Sequence, residues 1–169
     1  QVPDLGAPLI TNYGPEQYKA QSQNWVAVQD QRGVMYFGNS VGILEFDGQR
    51  WQLIPTPGKT TTRALASGPD GTIYYGSIGD LGYLAVPPTG KVSAVSLKEA
   101  IPEAERSFND VWQVESCADG IYFLTRSRIF RLQGGKITAL PGKFASSQAC
   151  VLNGTLFYAD IEKGICLVD

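Results

Sequence analysis

The sequence predicts an all-β chain of about four four-stranded antiparallel sheets, and three observations carry that prediction. One pattern recurs: a tight turn ending in Gly, four or five β-forming residues, then a small residue. Its copies are Arg32–Gly38, Asp70–Gly76, Asp119–Thr125 and Asn153–Ala159. The turn glycines, Gly33, Gly71, Gly120 and Gly154, return about every 40 residues, the length of a unit of four short strands. Finally, 19 Gly and 10 Pro separate short apolar runs, which leaves room for many tight turns and little for helices. One four-stranded sheet cannot bury both of its faces alone, so such units stack around an axis as blades of a β-propeller.

The elements follow in order. Residues 1–8 form an extended lead-in, because Pro3 and Pro8 oppose helix. Leu9–Tyr13 is a short strand ended by Gly14-Pro15, and the polar stretch Glu16–Asn24 is a loop without period. Asp-Gly and Asn-Gly supply the positive φ angles of two-residue hairpin turns, so each repeat opens with a hairpin. The first unit, residues 25–54, has strands at Trp25–Gln29, Val34–Gly38, Ile43–Phe46 and Gln49–Ile54, and Pro55–Gly58 breaks the run. The second, 62–97, has strands at Thr62–Ser67, Thr72–Gly76, Tyr83–Val86 and Lys91–Leu97.

Lys98–Arg106 has helical composition, limited by Pro102 to a turn or two, and the insert at 98–109 accounts for the widest glycine interval. The third unit, 110–140, has strands at Asp110–Ser116, Ile121–Thr125, Arg128–Leu132 and Lys136–Leu140. The fourth, 148–169, offers Gln148–Leu152, Thr155–Ala159 and Gly164–Val168, one strand short. Leu9–Tyr13 is one strand left over. It either completes the last blade and closes a ring of four, or the units belong to a larger ring; both readings stand at this point.

Composition narrows the function. At 169 residues, 43% apolar and 18% charged, the chain reads as an ordinary soluble globular domain. A net charge of −2 without a basic stripe speaks against a nucleic-acid partner. No apolar run approaches the roughly 20 residues that span a bilayer. There is no His, which removes Ser-His-Asp and Cys-His catalysis, His-ligated zinc and imidazole proton transfer. Cys117, Cys150 and Cys166 lack metal-ligand spacing and are expected as buried thiols rather than a disulfide. No metal site and no cofactor motif is expected, since the glycines Gly76, Gly79 and Gly82 lie between strands with no helix to receive a phosphate. The chain starts at Gln1, as either a processed or a shortened N-terminus would.

One stretch carries a resemblance. Asn24–Asn39, with Val41–Gly48 and Trp51, resembles the two-component regulator propeller repeat. The lead-in Leu9–Pro15 is also similar to the start of the mature sensor in that family. The match is good over 9–54, moderate over 62–86 and 110–132, and weak at 148–169. The resemblance implies a periplasmic sensor region of bacterial hybrid histidine kinases and related receptors, an input piece without catalysis of its own. It implies a ligand and, because such receptors signal as pairs, a homodimer, which the exposed edge of an incomplete last blade would also favour.

Candidate site residues come from comparing the repeats. Trp25, Arg63 and Trp112 stand eight residues before the turn glycine of their units, and Gln148 matches them by its place at the start of its strand, near the funnel where loops of all blades converge. Large aromatic and polar groups there suit a small polyol or oligosaccharide; the same residues also suit blade packing. A second set follows strand two: Asn39, Ser77, Arg126 and Asp160, suited to a ligand or to any solvated turn. Asp80 and Arg128 are further candidates of this kind. Glu99, Glu103 and Glu105 read as a solvated surface cluster. No catalytic constellation is visible. A propeller lyase or a protein-binding scaffold are the rival readings, because fold alone does not decide function.

Overall fold

The computed structural model describes residue 6 and residues 10–88, 91–140 and 144–168, apart from the side chains of 145–148. The first sheet contains β1 (Asn24–Gln29), β2 (Met35–Asn39), β3 (Gly42–Phe46) and β4 (Trp51–Ile54). The second contains β5 (Thr62–Ser67), β6 (Ile73–Ser77), β7 (Asp80–Ala85) and β8 (Ser93–Ser96). The third contains β9 (Gln113–Cys117), β10 (Gly120–Leu124), β11 (Ile129–Gln133) and β12 (Lys136–Ala139). In the fourth, β13 (Phe144–Leu152), β14 (Thr155–Asp160) and β15 (Gly164–Leu167) make three described strands. Every sheet is an antiparallel meander in chain order. The molecule is a β-propeller array.

The hairpin chemistry is more varied than two-residue turns. In the first two units the Asp30 N–H donates to Val34 O at 3.0 Å and the Gly68 N–H to Thr72 O at 2.8 Å. Each closes a three-residue loop whose last residue, Gly33 (φ 86°) or Gly71 (φ 82°), takes the left-handed conformation that a side chain resists. The fourth unit keeps the two-residue form, with Asn153 (φ 51°) and Gly154 (φ 78°) both left-handed. In the third, Gly120 is already paired with Cys117 inside the sheet.

Alternation along the strands gives each sheet two apolar faces, and the faces pack in succession. Tyr36, Ile43 and Ile54 of the first sheet meet Leu65, Ile73, Tyr75 and Leu84 of the second. Ala64 and Leu81 meet Ile121, Phe123, Phe130 and Ile137 of the third, with Ile101 from the insert filling the seam. Tyr122, Leu124 and Ile129 meet Phe144, Leu156 and Tyr158 of the fourth. Burial of each large aliphatic or aromatic group stabilises by about 1.5–3 kcal/mol, so these three seams, rather than the ladders, hold the array together.

The insert forms two 3-10 turns, Lys98–Ala100 and Glu103–Glu105. Two of its three glutamates are paired: Glu99 with Arg106 at 2.6 Å, and Glu105 with Arg128.

The lead-in departs from expectation. Leu9 lies outside the described residues, and Ile10–Tyr13 is not strand. Pro15–Tyr18 forms one helical turn (α1) where a loop is expected, started by Pro15 at its first position. The segment does not extend the fourth sheet. Instead Tyr13 lies 5.1 Å from Phe46 and 5.4 Å from Trp51, and Tyr18 lies 5.5 Å from Trp51, covering the Phe46–Trp51 part of the free face of the first sheet. Aromatic burial there outweighs edge pairing by a short strand. Among the described residues no core joins the fourth sheet back to the first, so the array is an open arc.

The fourth sheet leaves its far face uncovered. Ile43, Leu81 and Ile129 hold one position of the repeat and are 0% exposed, whereas Ile165, at the same position, is 83% exposed. Leu152 and Leu167 share that open face. All three cysteines are free thiols, but only Cys117 is buried; Cys150 is exposed because it lies on this face.

Candidate functional site

Two bulges build the site. In the first sheet Asn24 pairs with Asn39 and Val26 with Gly38, which leaves Trp25 as an extra residue. In the second, Thr62 pairs with Ser77 and Ala64 with Gly76, which leaves Arg63 extra in the same way. A bulge bends its strand and re-aims the side chain it carries. Trp112, just before β9, is fixed by its own N–H, which donates to Leu124 O at 2.8 Å.

The three side chains converge from three sheets. The guanidinium carbon of Arg63 lies 4.2 Å from the ring centre of Trp25 and 4.3 Å from that of Trp112, between the two indoles. Arg126 lies 5.1 Å from the ring centre of Trp112 and extends the stack. A guanidinium over an indole face is held by the ring quadrupole, more strongly where water is excluded. Arg63 Nε is 3.1 Å from Asp110 Oδ1. The angle falls short of a hydrogen bond, so Nε, Nη1 and Asp110 Oδ1 are buried without hydrogen-bond partners. The contact is therefore one of charge, and it offsets part of the cost of burying the cation. Asp110 is placed by the strand-like bridge it makes with Ile78 and by the Val111 N–H, which donates to Ser77 O at 3.1 Å. Trp25 remains 39% exposed, so part of the stack is open to solvent.

The second predicted set divides. Asn39 is fully buried, and its Nδ2 donates to Gln21 O at 2.7 Å, Gln23 O at 3.1 Å and Asn24 Oδ1 at 2.7 Å. Ser77 is fully buried, and its Oγ donates to Asp80 O at 3.3 Å. Asp160 Oδ1 accepts from the Glu162 and Lys163 N–H groups at 2.9 and 3.0 Å. These three shape the β2–β3-type turns of their sheets, and only Arg126 joins the Trp25–Arg63–Trp112 stack. Thr125, which counting from the turn glycine misses, does the turn's work in the third unit: its Oγ1 accepts from the Arg128 N–H at 2.8 Å. The side chain of Gln148 lies outside the described residues. Asp80 is buried, accepting from Tyr75 Oη at 2.8 Å and Ser96 Oγ at 2.5 Å.

The stack is cationic and aromatic. A concavity of about 780 Å³ lies at the opposite rim between the second and third sheets. Among the described residues no group of His, Cys, Asp or Glu could hold a metal ion. No helix among them is long and apolar enough to cross a membrane.

No protein-family model matches this chain, and no curated protein does. Solved structures do. The chain superposes on the extracellular domain described for a hybrid two component system of B. thetaiotaomicron, BT3049, with a TM-score of 0.62 and 14% identity, covering 94% of this chain and 22% of that one. Virginiamycin B lyase from Staphylococcus aureus gives a TM-score of 0.54 at 14% identity, over 85% of this chain and 54% of the lyase. A protein of unknown function from Bacteroides caccae gives 0.53 at 16% identity, over 87% and 57% of the two chains. In each case this chain spans less than two thirds of its neighbour. At these identities the likeness establishes the propeller fold.

Proposed function

We propose that this chain is an extracytoplasmic ligand-sensing propeller domain of a bacterial two-component or related signalling receptor, without catalysis of its own. The observation that carries the reading is the Arg63 guanidinium stacked between Trp25 and Trp112, because three blades contribute to one surface beside the turns of the axial funnel. A partly exposed indole can stack on the C–H face of a sugar ring, and the Arg126 guanidinium at the end of the stack can bond its hydroxyls. The likeness to a receptor's extracellular domain and the repeat pattern of residues 24–51 support the receptor assignment. The lyase likeness supports catalysis less well, since the carboxylate that the described residues place at the stack, Asp110, is occupied by Arg63. A homodimer through the open face of the fourth sheet belongs to the same proposal.

Thermal-shift and calorimetric titration against a panel of oligosaccharides test it. The expected result is a selective rise in melting temperature that is lost in Trp25→Ala and Trp112→Ala variants which remain folded. Silence across the panel transfers the reading to a protein-binding scaffold, and turnover of a panel member transfers it to a lyase.

A further inference from the structure

The second blade breaks a rule that the first and third keep. Tyr36, Tyr74 and Tyr122 hold one position of the repeat, each three residues before the residue that closes the following turn. Tyr36 and Tyr122 are both 1% exposed, and an Asp–Arg pair closes over each hydroxyl. Arg32 Nη2 donates to Tyr36 Oη at 3.1 Å and to Asp30 Oδ2 at 2.8 Å. Tyr122 Oη donates to Asp119 Oδ2 at 2.6 Å, and Arg131 Nη1 reaches the same oxygen at 3.2 Å.

In the second blade the clamp is missing. Gly68 stands where Asp30 closes its loop, since each bonds its turn in the same way. Tyr83 stands opposite Tyr74 in the register where Glu45 faces Tyr36 and Arg131 faces Tyr122. Tyr74 is consequently half-buried, its ring 6.4 Å from that of Tyr83, and neither hydroxyl has a partner among the described residues. The two rings line the 780 Å³ cleft together with Leu97 and Leu132. Asp70 and Asp119 line it too. The Asp119 charge is matched by Arg131, whereas among the described residues Asp70 accepts only from Thr72, through N–H at 3.0 Å and Oγ1 at 2.9 Å.

We propose that this cleft is a second binding site, for an uncharged hydroxylated ring such as a neutral saccharide. The volume lies within the roughly 300–1,000 Å³ of small-molecule sites. Phenol faces stack on the C–H face of such a ring, while the two free hydroxyls and the Asp70 carboxylate take up its hydroxyl groups. The lining carboxylates disfavour anions. An organic cation is the competing class, because an ammonium group would also favour tyrosine faces beside a carboxylate. The site lies at the rim opposite the Trp25–Arg63–Trp112 stack and stands or falls independently of it.

The test is an NMR and calorimetric titration of the full chain with neutral trisaccharides of glucose, xylose and mannose, their uronic-acid counterparts and butylamine. Binding of a neutral trisaccharide that moves the Tyr74 and Tyr83 signals is expected, with no response to the uronic acids. Tyr83→Arg, which sets an Arg beside Asp70 and over Tyr74, should weaken that binding by roughly tenfold or more, and Tyr74→Phe should weaken it in the same direction. Trp112→Ala should leave the Tyr74 and Tyr83 signal changes in place, whatever it does to binding at the stack. Absence of any neutral saccharide binding at these tyrosines, binding that survives both tyrosine variants, or a response to butylamine alone overturns the assignment. Saccharide binding lost only in Trp112→Ala overturns this site while sparing the stack.

Discussion

Asp110 Oδ1 and Arg63 Nε stand 3.1 Å apart, and that contact fixes where the guanidinium lies between two indoles drawn from different sheets. The stack is therefore a structural stitch as well as a candidate ligand surface. Arg63→Ala should destabilise the chain by about 1–3 kcal/mol, the sum of two partly desolvated cation–π contacts. Arg63→Lys should recover less than half of that, because an ammonium group cannot present two flat faces. Urea denaturation measures both. Unchanged midpoints would show that the stack contributes nothing to stability.

Two glycines should tolerate no side chain. A Cβ on Gly82 would lie 2.0 Å from Val95 O, and one on Gly76 would lie 2.3 Å from Val111 Cγ1. Backbone cannot give way as a side chain can, so Gly82→Ala should cost more than Gly76→Ala. The expected losses are above about 3 kcal/mol and about 1–3 kcal/mol respectively. Gly134→Ala, where a Cβ would meet nothing within 4 Å but φ is 55°, serves as a control of backbone strain alone.

Acid and neutral pH should pull in opposite directions at the Tyr36 network. Burial raises the pKa of Asp30, but hydrogen bonds from the Arg32 side chain and from the Val34 and Arg32 N–H groups reverse this and hold it below the ordinary value. A depressed carboxyl contributes stability that is present above its unfolded pKa, about 4, and is lost as pH falls through the folded one. Asp30→Asn should remove that acid limb. For Glu45, burial raises the pKa and Arg32 only partly opposes it, while Oε2 is buried without a hydrogen-bond partner. Its ionised form is a burden at neutral pH that protonation relieves. Glu45→Gln should therefore raise the melting temperature at pH 7 and leave it unchanged at pH 4, which scanning calorimetry across that range checks.

Sedimentation analysis tests the dimer contact. Ile165→Asp places a charge at the centre of the open face and should leave a monomer at concentrations where the unsubstituted chain is paired. Leu167→Asp should act in the same direction. A monomer from the outset, or a dimer indifferent to both changes, rules out this face as the contact.

Much of this architecture was legible because turn chemistry is local. Gly33, Gly71 and Gly154 need left-handed backbone wherever the rest of the chain goes, so the repeat and its sheets could be read from them. The grouping of Trp25, Arg63 and Trp112 followed from their shared offset from Gly33, Gly71 and Gly120. Register was not legible. Gly120 sits inside its strand instead of in the turn, so the same count overshoots by one and selects Arg126 in place of Thr125. That error still found a stack member, because Arg126 lies beside Thr125 at the same rim. The bulges at Trp25 and Arg63 leave no mark in composition, since they are properties of pairing. The Tyr74–Tyr83 wall depends on a cross-strand partner, which only the ladder reveals.

The two ends of the arc are not equivalent. Tyr13 and Tyr18 close over Trp51 on the first sheet, while Ile165 looks outward from the last. In a polymer chemist's vocabulary, one terminus is quenched and the other is live. The dimer contact proposed above would therefore meet aliphatic side chains at the fourth sheet, whereas at the first it would meet aromatic rings already engaged with one another.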